Sequence, residues 1–274
     1  MTKSPFCDGL YTFGVMASRY PIILAHGIVI KDYKFFRAFG RIEKTLKNAG
    51  YDVYTSRTDG FGSIENNAAQ LKCQIEEICK ARGVDKVNII AHSKGGLDAK
   101  YMIEELDGDT RVASLTTVCS PHKGSKLASK ICGYPKPLLK FIAFWIDFWY
   151  KIFGDKAPDS MRVLQQLKAI PPEEYNEAVT CEKVYCQSFS AVMKRSRDDF
   201  VMGIPLKITN HTEDSPTDGI VSVESSKFGN YRGNCLDGSV SHSEIIDFMA
   251  GKKKRQKVFA FYLSVCEDLA NRGF

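Results

Sequence analysis

The sequence predicts one α/β domain, residues 1–274, built on a mainly parallel sheet with helices on both faces. Short apolar runs alternate along the chain with segments whose apolar residues recur at helical spacing. This order favours a parallel sheet, because each crossover helix returns the chain to the same edge. A length of 274 residues is ordinary for a single domain of this class.

Five apolar runs predict the strands. Each is short, and most are bounded by glycine or by polar residues, as buried strands usually are. The predicted strands are Tyr20–Ala25, Tyr51–Tyr54, Lys86–Ala91, Val112–Val118 and Lys183–Ser188.

Helices are predicted where apolar residues return every three or four positions. Ser63 can cap the second helix, and Gly83 can end it. The four apolar stripes are Phe35, Phe39, Ile42 and Leu46; then Ile64, Ala68, Leu71, Ile75 and Cys79; then Leu97, Tyr101 and Ile103; and finally Val258, Phe261, Val265 and Leu269.

Charge and cysteine content limit the class of partner and compartment. The formal net charge is +6 with basic residues spread along the chain, so we expect no nucleic-acid partner. The run Lys252–Arg255 is interpreted as a solvated helix start, with a phospholipid or partner patch as the alternative. Nine cysteines without a C-x-x-C pair predict free thiols in a reducing compartment. The N-terminus lacks a signal-peptide pattern, so we expect a cytoplasmic protein, or a secreted one if a leader has been removed.

The segment Ala91-His92-Ser93-Lys94-Gly95 carries the sharpest chemical signal. It joins a predicted strand directly to a predicted helix. A serine on such a tight turn is held in strained backbone with its hydroxyl exposed, and its flanking positions must be small, as Ala91 and Gly95 are. The helix that follows directs backbone amides towards developing negative charge. We therefore predict that Ser93 is a nucleophile rather than a simple helix cap.

Several linked segments resemble those of bacterial triacylglycerol lipases of the α/β-hydrolase superfamily. They are YPIILAHGI, NIIAHSKGGLDAKYMI, LTTVCSPHKGS and TDGIVSV. These lipases usually have glycine where Ala91 stands, although some have alanine. The resemblance implies an α/β-hydrolase fold with a helical lid or cap insertion at about 130–170, and it implies cleavage of carboxylic esters, with small or lipid-like esters as substrates.

The resemblance also implies the partners of Ser93. The superfamily order is Ser, then Asp or Glu, then His. His242 lies where the lipases carry the catalytic His, and Asp218 lies in their Asp-Gly-x-Val context. Asp214 and Asp237 are rival acids, while His211 precedes Asp218 and breaks the order. We expect His92 and His122 to be structural, with His122 making a hydrogen bond.

Two backbone amides are expected to form the oxyanion hole. One belongs to Lys94, the residue after the nucleophile. Resemblance to lipase His-Gly-x loops places the other at Ile28, next to Gly27, which allows a close turn. The side chain of Lys94 need play no part. The alternative for His26-Gly27 is a plain turn at a strand end.

Residues 136–154 form an unusually aromatic amphipathic segment. Lys140, Asp147 and Lys151 share one narrow polar strip. We interpret it as a lid helix over an acyl pocket that touches a lipid interface transiently; a packed core or dimer helix is the alternative. The proposed lid and pocket residues are Phe141, Trp145, Phe148 and Trp149.

Metal dependence and reaction class remain as expectations. The lipases often hold a structural calcium through an aspartate two residues after the catalytic His, but that position here is Glu244. We therefore expect no required cofactor, with calcium at Glu244 as the alternative. The leading prediction is a lipase or esterase. An acyltransferase or thioesterase with the same triad, or a non-catalytic lipid-binding relative, is the alternative.

Overall fold

The structure is a computed structural model that describes residues 18–28, 37–168, 182–209 and 215–274. Strands and helices alternate through most of the chain, as the sequence predicts. The elements in chain order are β1 (Ile22–Ala25), α1 (Ile42–Asn48), β2 (Val53–Thr55), α2 (Ile64–Arg82), β3 (Val87–His92), α3 (Lys94–Glu105), β4 (Val112–Val118), α4 (Lys126–Cys132), α5 (Lys136–Ile152), α6 (Ser160–Gln166), β5 (Tyr185–Ser190), α7 (Gly203–Ile208), α8 (Val223–Ser226), β6 (Asn230–Asn234) and α9 (Lys252–Asn271).

The six described strands form one parallel sheet in the order β2-β1-β3-β4-β5-β6. The register pairs Ala25 with Ala91 and His92 with Val118. Because all six strands run the same way, their carboxyl ends meet at one edge of the sheet. Ligand sites in such sheets lie at that edge.

Helices cover both faces of the sheet, because side chains alternate across each strand. On one face, Ile22 and Leu24 of β1 pack with α1 and α9; on the other, Ile23 and Ala25 pack with α2 and α3. Strand β1 is apolar throughout, which explains why the sequence shows it as a continuous run. Strands β3 and β4 are also fully buried, although each carries polar residues among its apolar ones. The predicted doubly covered parallel sheet is confirmed.

Local signals place several helix ends correctly. Ser63 caps α2 by accepting a hydrogen bond from the Asn66 amide at 3.3 Å. Gly83 ends α2 at φ 67°, in the left-handed region that glycine tolerates best. The stripes predicted for α2 and α9 are buried in the core, except for the half-buried Ile64.

Two predicted elements differ from the structure, and one strand was not predicted. The first predicted helix begins only at Ile42, with Phe39 in a preceding turn, and Phe35 lies outside the described residues. Strand β5 covers Tyr185–Ser190, because Lys183 belongs to a short helical turn. Strand β6 was missed, because its sequence NYRGN has no apolar run and lies at the sheet edge with its side chains alternately exposed.

Helices α4 to α6 form an insertion between β4 and β5. It is anchored to loops at the carboxyl edge of the sheet: Asp155 accepts the amides of Gly60 and Phe61 at 3.1 and 2.9 Å, and the Ser125 hydroxyl donates to the Ile220 carbonyl at 3.0 Å. None of the helices in the described ranges is both long and apolar enough to cross a membrane.

Candidate active site

Ser93 occupies the turn between β3 and α3 in a strained conformation, with φ 56° and ψ −132°. Its amide donates to the Val118 carbonyl at 3.1 Å. Gly95 allows α3 to start against β1, since a Cβ there would lie 2.4 Å from the Ala25 carbonyl oxygen. The turn therefore holds the Ser93 hydroxyl at the carboxyl edge of the sheet.

The structure joins the three predicted catalytic side chains in one hydrogen-bonded chain. His242 Nε2 lies 2.8 Å from Ser93 Oγ, and His242 Nδ1 lies 2.6 Å from Asp218 Oδ2. A carboxylate can only accept, so Nδ1 carries the proton and Nε2 is left to accept the hydroxyl proton of Ser93. This is the tautomer that a general base towards Ser93 requires.

Local backbone holds the Asp218 carboxylate in place. Its Oδ1 accepts the amides of Ile220 and Val221 at 2.9 and 2.8 Å, so Oδ2 is free to face His242. The His242 amide also donates to the Asp218 carbonyl at 2.9 Å, which links the two loops. The rival Asp237 is exposed to solvent, whereas Asp214 and His211 lie outside the described residues.

The predicted oxyanion-hole segments lie side by side. A Cβ on Gly27 would come 2.8 Å from both the Lys94 amide nitrogen and Ser93 Cβ. Only glycine permits that approach, and it brings the Gly27-Ile28 segment next to the start of α3. The amides of Ile28 and Lys94 remain the predicted donors to an oxyanion.

The Lys94 side chain has a structural role that the sequence did not reveal. It is buried, and its ammonium contacts both carboxylate oxygens of Asp98 at 2.7 and 2.9 Å. Asn67 donates to the same carboxylate at 3.1 Å. Burial raises the pKa of Asp98 to about 6, in spite of the neighbouring Lys94 charge. An i, i+4 spacing of Lys and Asp on one helix was the available signal.

The Glu244 carboxylate, considered above as a calcium ligand, is engaged by a lysine and a backbone amide. Both of its carboxylate oxygens contact the Lys254 ammonium at 2.7 and 2.6 Å, and one also accepts the Ser241 amide at 3.1 Å. The Ser241 hydroxyl accepts the Glu244 amide at 3.2 Å. The lysine supplies the positive charge that a cation would bring, and the reciprocal bonds shape the turn that presents His242.

Asp199 supports the His242 turn from a distant part of the chain. One of its oxygens accepts the hydroxyls of Ser241 and Ser243 at 2.5 and 2.6 Å. Asp199 was missed because no motif marks it. Only the folded chain brings it to a loop more than forty residues away.

The two histidines predicted to be structural are buried beside the site. The His92 ring packs 4.5 Å from the His242 ring, and its pKa is well below the usual value because of burial and the neighbouring His242. His122 Nε2 lies 3.1 Å from the Thr117 hydroxyl, as expected for a structural hydrogen bond. Burial lowers the pKa of His122 to about 3.

The four predicted lid residues lie on α5 and point outward. Phe141, Trp145, Phe148 and Trp149 are between 45% and 63% exposed. Within the described residues only Leu139 and Ala143 of α5 are buried, which argues against packing of α5 as a core helix of the same chain. The role of the four aromatics as lining of an acyl pocket stays a prediction. A role as pocket lining would require α5 to move.

Comparison with known proteins places this geometry in a family. The profile of the palmitoyl protein thioesterase family matches residues 21–182, more than half of the chain. The chain belongs to the palmitoyl protein thioesterase family. The match begins just before β1 and covers the Ser93 turn, but it ends before Asp218 and His242.

Relatives of this family member include known lipases. Triacylglycerol lipase 2 of Saccharomyces cerevisiae is 29% identical over 266 residues, covering 85% of this chain and 73% of the relative. A triacylglycerol lipase of Burkholderia plantarii is 36% identical over 135 residues, covering 47% of this chain and 36% of the relative. The chain thus spans about a third of that bacterial lipase.

Solved structures agree with the fold. The structure of a metagenomic carboxyl esterase superposes with a TM-score of 0.68 at 18% identity, covering 97% of this chain and 80% of the esterase. The predicted α/β-hydrolase fold and the resemblance to triacylglycerol lipases are confirmed. This family member is a carboxylic ester hydrolase of the lipase and esterase type.

Proposed function

We propose that this chain hydrolyses lipid-like carboxylic esters through Ser93, His242 and Asp218. The observation that supports the proposal is the continuous contact from the Asp218 carboxylate through His242 to the Ser93 hydroxyl. A protein that only binds lipid needs no such chain of contacts, which argues against a non-catalytic role. The groups used all belong to this chain, so we propose that no metal or cofactor is required.

The proposed reaction has two stages. Ser93 Oγ attacks the ester carbonyl carbon while His242 Nε2 takes the hydroxyl proton, and the amides of Ile28 and Lys94 stabilise the oxyanion. His242 then protonates the departing alcohol, leaving an acyl group on Ser93. Water, deprotonated by His242, attacks that acyl group and releases the acid, and the proton returns to Ser93.

Thioester hydrolysis is the second candidate, because the matching family is described as palmitoyl protein thioesterase. A thiolate leaves without prior protonation more easily than an alkoxide does. The same site could therefore cleave a thioester with less need for His242 as a general acid. No observation favours transfer to an acceptor other than water.

Ser93→Ala is expected to abolish turnover, because no other group can carry the acyl intermediate. The measurement is hydrolysis of nitrophenyl esters of increasing chain length, together with a long-chain acyl thioester, and covalent labelling by a fluorophosphonate. Ser264→Ala, on α9 and hydrogen-bonded to the Phe261 carbonyl of its own helix, serves as the matched control. Turnover or labelling that persists in Ser93→Ala would refute the assignment. The ratio of ester to thioester rates separates the two candidates.

We also propose a cytoplasmic location for this chain. All seven described cysteines are free, which supports a reducing, cytoplasmic compartment.

A further inference from the structure

Helix α5 carries a large apolar face that nothing in the described structure covers. Eight large apolar side chains on this helix are between 45% and 63% exposed, whereas its buried side is limited to Leu139 and Ala143. Contiguous exposed apolar surface of this kind marks an interaction site. The exposed side chains are Leu138, Phe141, Ile142, Phe144, Trp145, Phe148, Trp149 and Ile152.

Lysines border this apolar face and are not neutralised by acids within the described part of the chain. Residues 126–156 contain six lysines and two aspartates. Asp155 is buried on the Gly60 and Phe61 amides, and Asp147 accepts the Ser160 amide at 2.8 Å. All six lysines are exposed, and none pairs with a carboxylate within the described residues, although Lys130 donates to the Ile208 carbonyl at 2.5 Å. The six are Lys126, Lys130, Lys136, Lys140, Lys151 and Lys156.

The charge lies along one flank of the apolar face. At about 100° per residue, Lys136, Lys140 and Lys151 fall on a single strip of α5, together with one acid, Asp147. Apolar side chains that enter a bilayer, with lysines beside them at the headgroups, are typical of helices that lie in a membrane interface. A second copy of this chain would bring like charges together, so it fits this face poorly.

A second apolar and basic segment lies at the same edge of the sheet. Phe248 and Met249 are 37% and 71% exposed and lie shortly before the exposed Lys252 and Lys253 at the start of α9. This segment follows the His242 turn, and the α4–α6 insertion is anchored beside the Asp218 loop. Both segments are therefore at the edge that carries Ser93.

We propose that α5 and the neighbouring part of this edge dock on a membrane rich in anionic phospholipid. Neutral oil or a zwitterionic membrane would bury the aromatic side chains but would not neutralise the charge of the lysines. A membrane with anionic headgroups does both. The electrostatic attraction between basic residues and such a surface strengthens binding, and added salt weakens it. That the membrane also supplies the ester substrate rests on the proposed function, but docking itself does not.

The two tryptophans of the chain, Trp145 and Trp149, report on α5 directly. The test uses the full chain with Ser93→Ala, so that the lipid stays intact. Phosphatidylcholine vesicles are compared with vesicles that also contain phosphatidylserine. We expect cosedimentation and a blue shift of tryptophan emission only with the anionic vesicles, both weakened by added salt.

Charge variants locate the surface. Lys136→Gln, Lys140→Gln and Lys151→Gln together should lower the partition coefficient onto anionic vesicles by about 100-fold. The matched control, Lys44→Gln, Lys72→Gln and Lys80→Gln, removes the same charge from α1 and α2 and should change it little. Equal loss in both triples, equal binding to both vesicle types, or no blue shift would overturn the proposal. A blue shift that grows with protein concentration without vesicles would favour self-association instead and would also overturn it. Soluble-ester hydrolysis by the unmodified chain tests the proposed function separately.

Discussion

At the scale of single residues, the site depends on side chains that local backbone holds in place. Ser93 keeps a positive φ because β3, the start of α3 and the close approach of Gly95 to β1 leave it no alternative. Asp218 keeps one oxygen towards His242 because two amides hold the other. Little rearrangement is then needed when charge develops.

Asp218→Asn is expected to lower kcat by about 10⁴-fold. An amide at this position can donate to Nδ1 and would favour the wrong tautomer of His242. Ester hydrolysis at saturating substrate measures the effect, and Asp237→Asn, at an exposed rival position, should leave kcat unchanged. A small loss in Asp218→Asn, or a large one in Asp237→Asn, would show that the acid has been misassigned.

The buried Lys94–Asp98 pair makes a separate prediction about stability. Lys94→Met alone should cost about 3–5 kcal/mol, because it leaves the Asp98 carboxylate buried without its cation. Adding Asp98→Leu should recover most of that loss, since it removes the unpaired charge. Urea unfolding of the wild type, both single variants and the double variant measures the coupling. Strictly additive losses would mean that the pair does not act as a unit.

At the scale of elements, most helices are defined by the face that they bury, but α5 is not. Helices α2 and α9 bury one apolar stripe against the sheet. Helix α5 instead packs on α6 and turns its larger apolar face outward. That difference is why we propose that α5 is a mobile lid as well as a docking helix.

If α5 contributes to the acyl pocket on moving, Phe141→Ser with Trp145→Ser should lower the ratio of long-chain to short-chain kcat/KM by roughly 10-fold. Each aromatic that contacts the acyl chain contributes on the order of 1 kcal/mol or more. Dilute soluble nitrophenyl esters avoid any contribution from membranes. Phe200→Ser, which removes an exposed aromatic outside α5, is the control. If the ratio of long-chain to short-chain kcat/KM does not change, α5 does not contribute to the acyl pocket and acts in docking alone.

At the scale of the whole molecule, the buried titratable groups set the pH dependence of stability. His92 and His122 are buried, and burial lowers the pKa of both below the value that they have in the unfolded chain. The unfolded chain therefore binds protons first as pH falls below about 6.5. Asp98 acts in the opposite sense, because its folded pKa of about 6 exceeds its usual 3.8.

The free energy of unfolding is expected to decrease as pH falls from about 6.5 towards 4. Each buried His lowers the free energy of unfolding by up to about 1.4 kcal/mol for each pH unit of acidification. Asp98 raises it by a similar amount below pH 6, so the net loss corresponds to that of one His. Urea unfolding at several pH values measures the slope. His122→Asn should reduce it by about 1.4 kcal/mol per unit, and stability that rises on acidification would contradict this account.

The sequence by itself determined the features that depend on neighbours along the chain. The Ser93 turn, the Ser63 and Gly83 ends of α2 and the apolar β3 strand follow from local sterics and periodicity. The catalytic assignment of Ser93, Asp218 and His242 could also be predicted, because each residue lies in a recognisable sequence motif.

Only the tertiary structure decided the contacts between distant residues. Ser93 and His242 are 149 positions apart, and neither Asp199 nor strand β6 carries a local signal. Strand β6 is polar and forms only because the β5 edge offers hydrogen-bonding groups. The exposure of the α5 aromatics was also decided by the tertiary structure, because helical periodicity predicts an apolar face but not which residues cover it. Local sterics act along the chain, whereas pairing and exposure depend on how the whole chain closes.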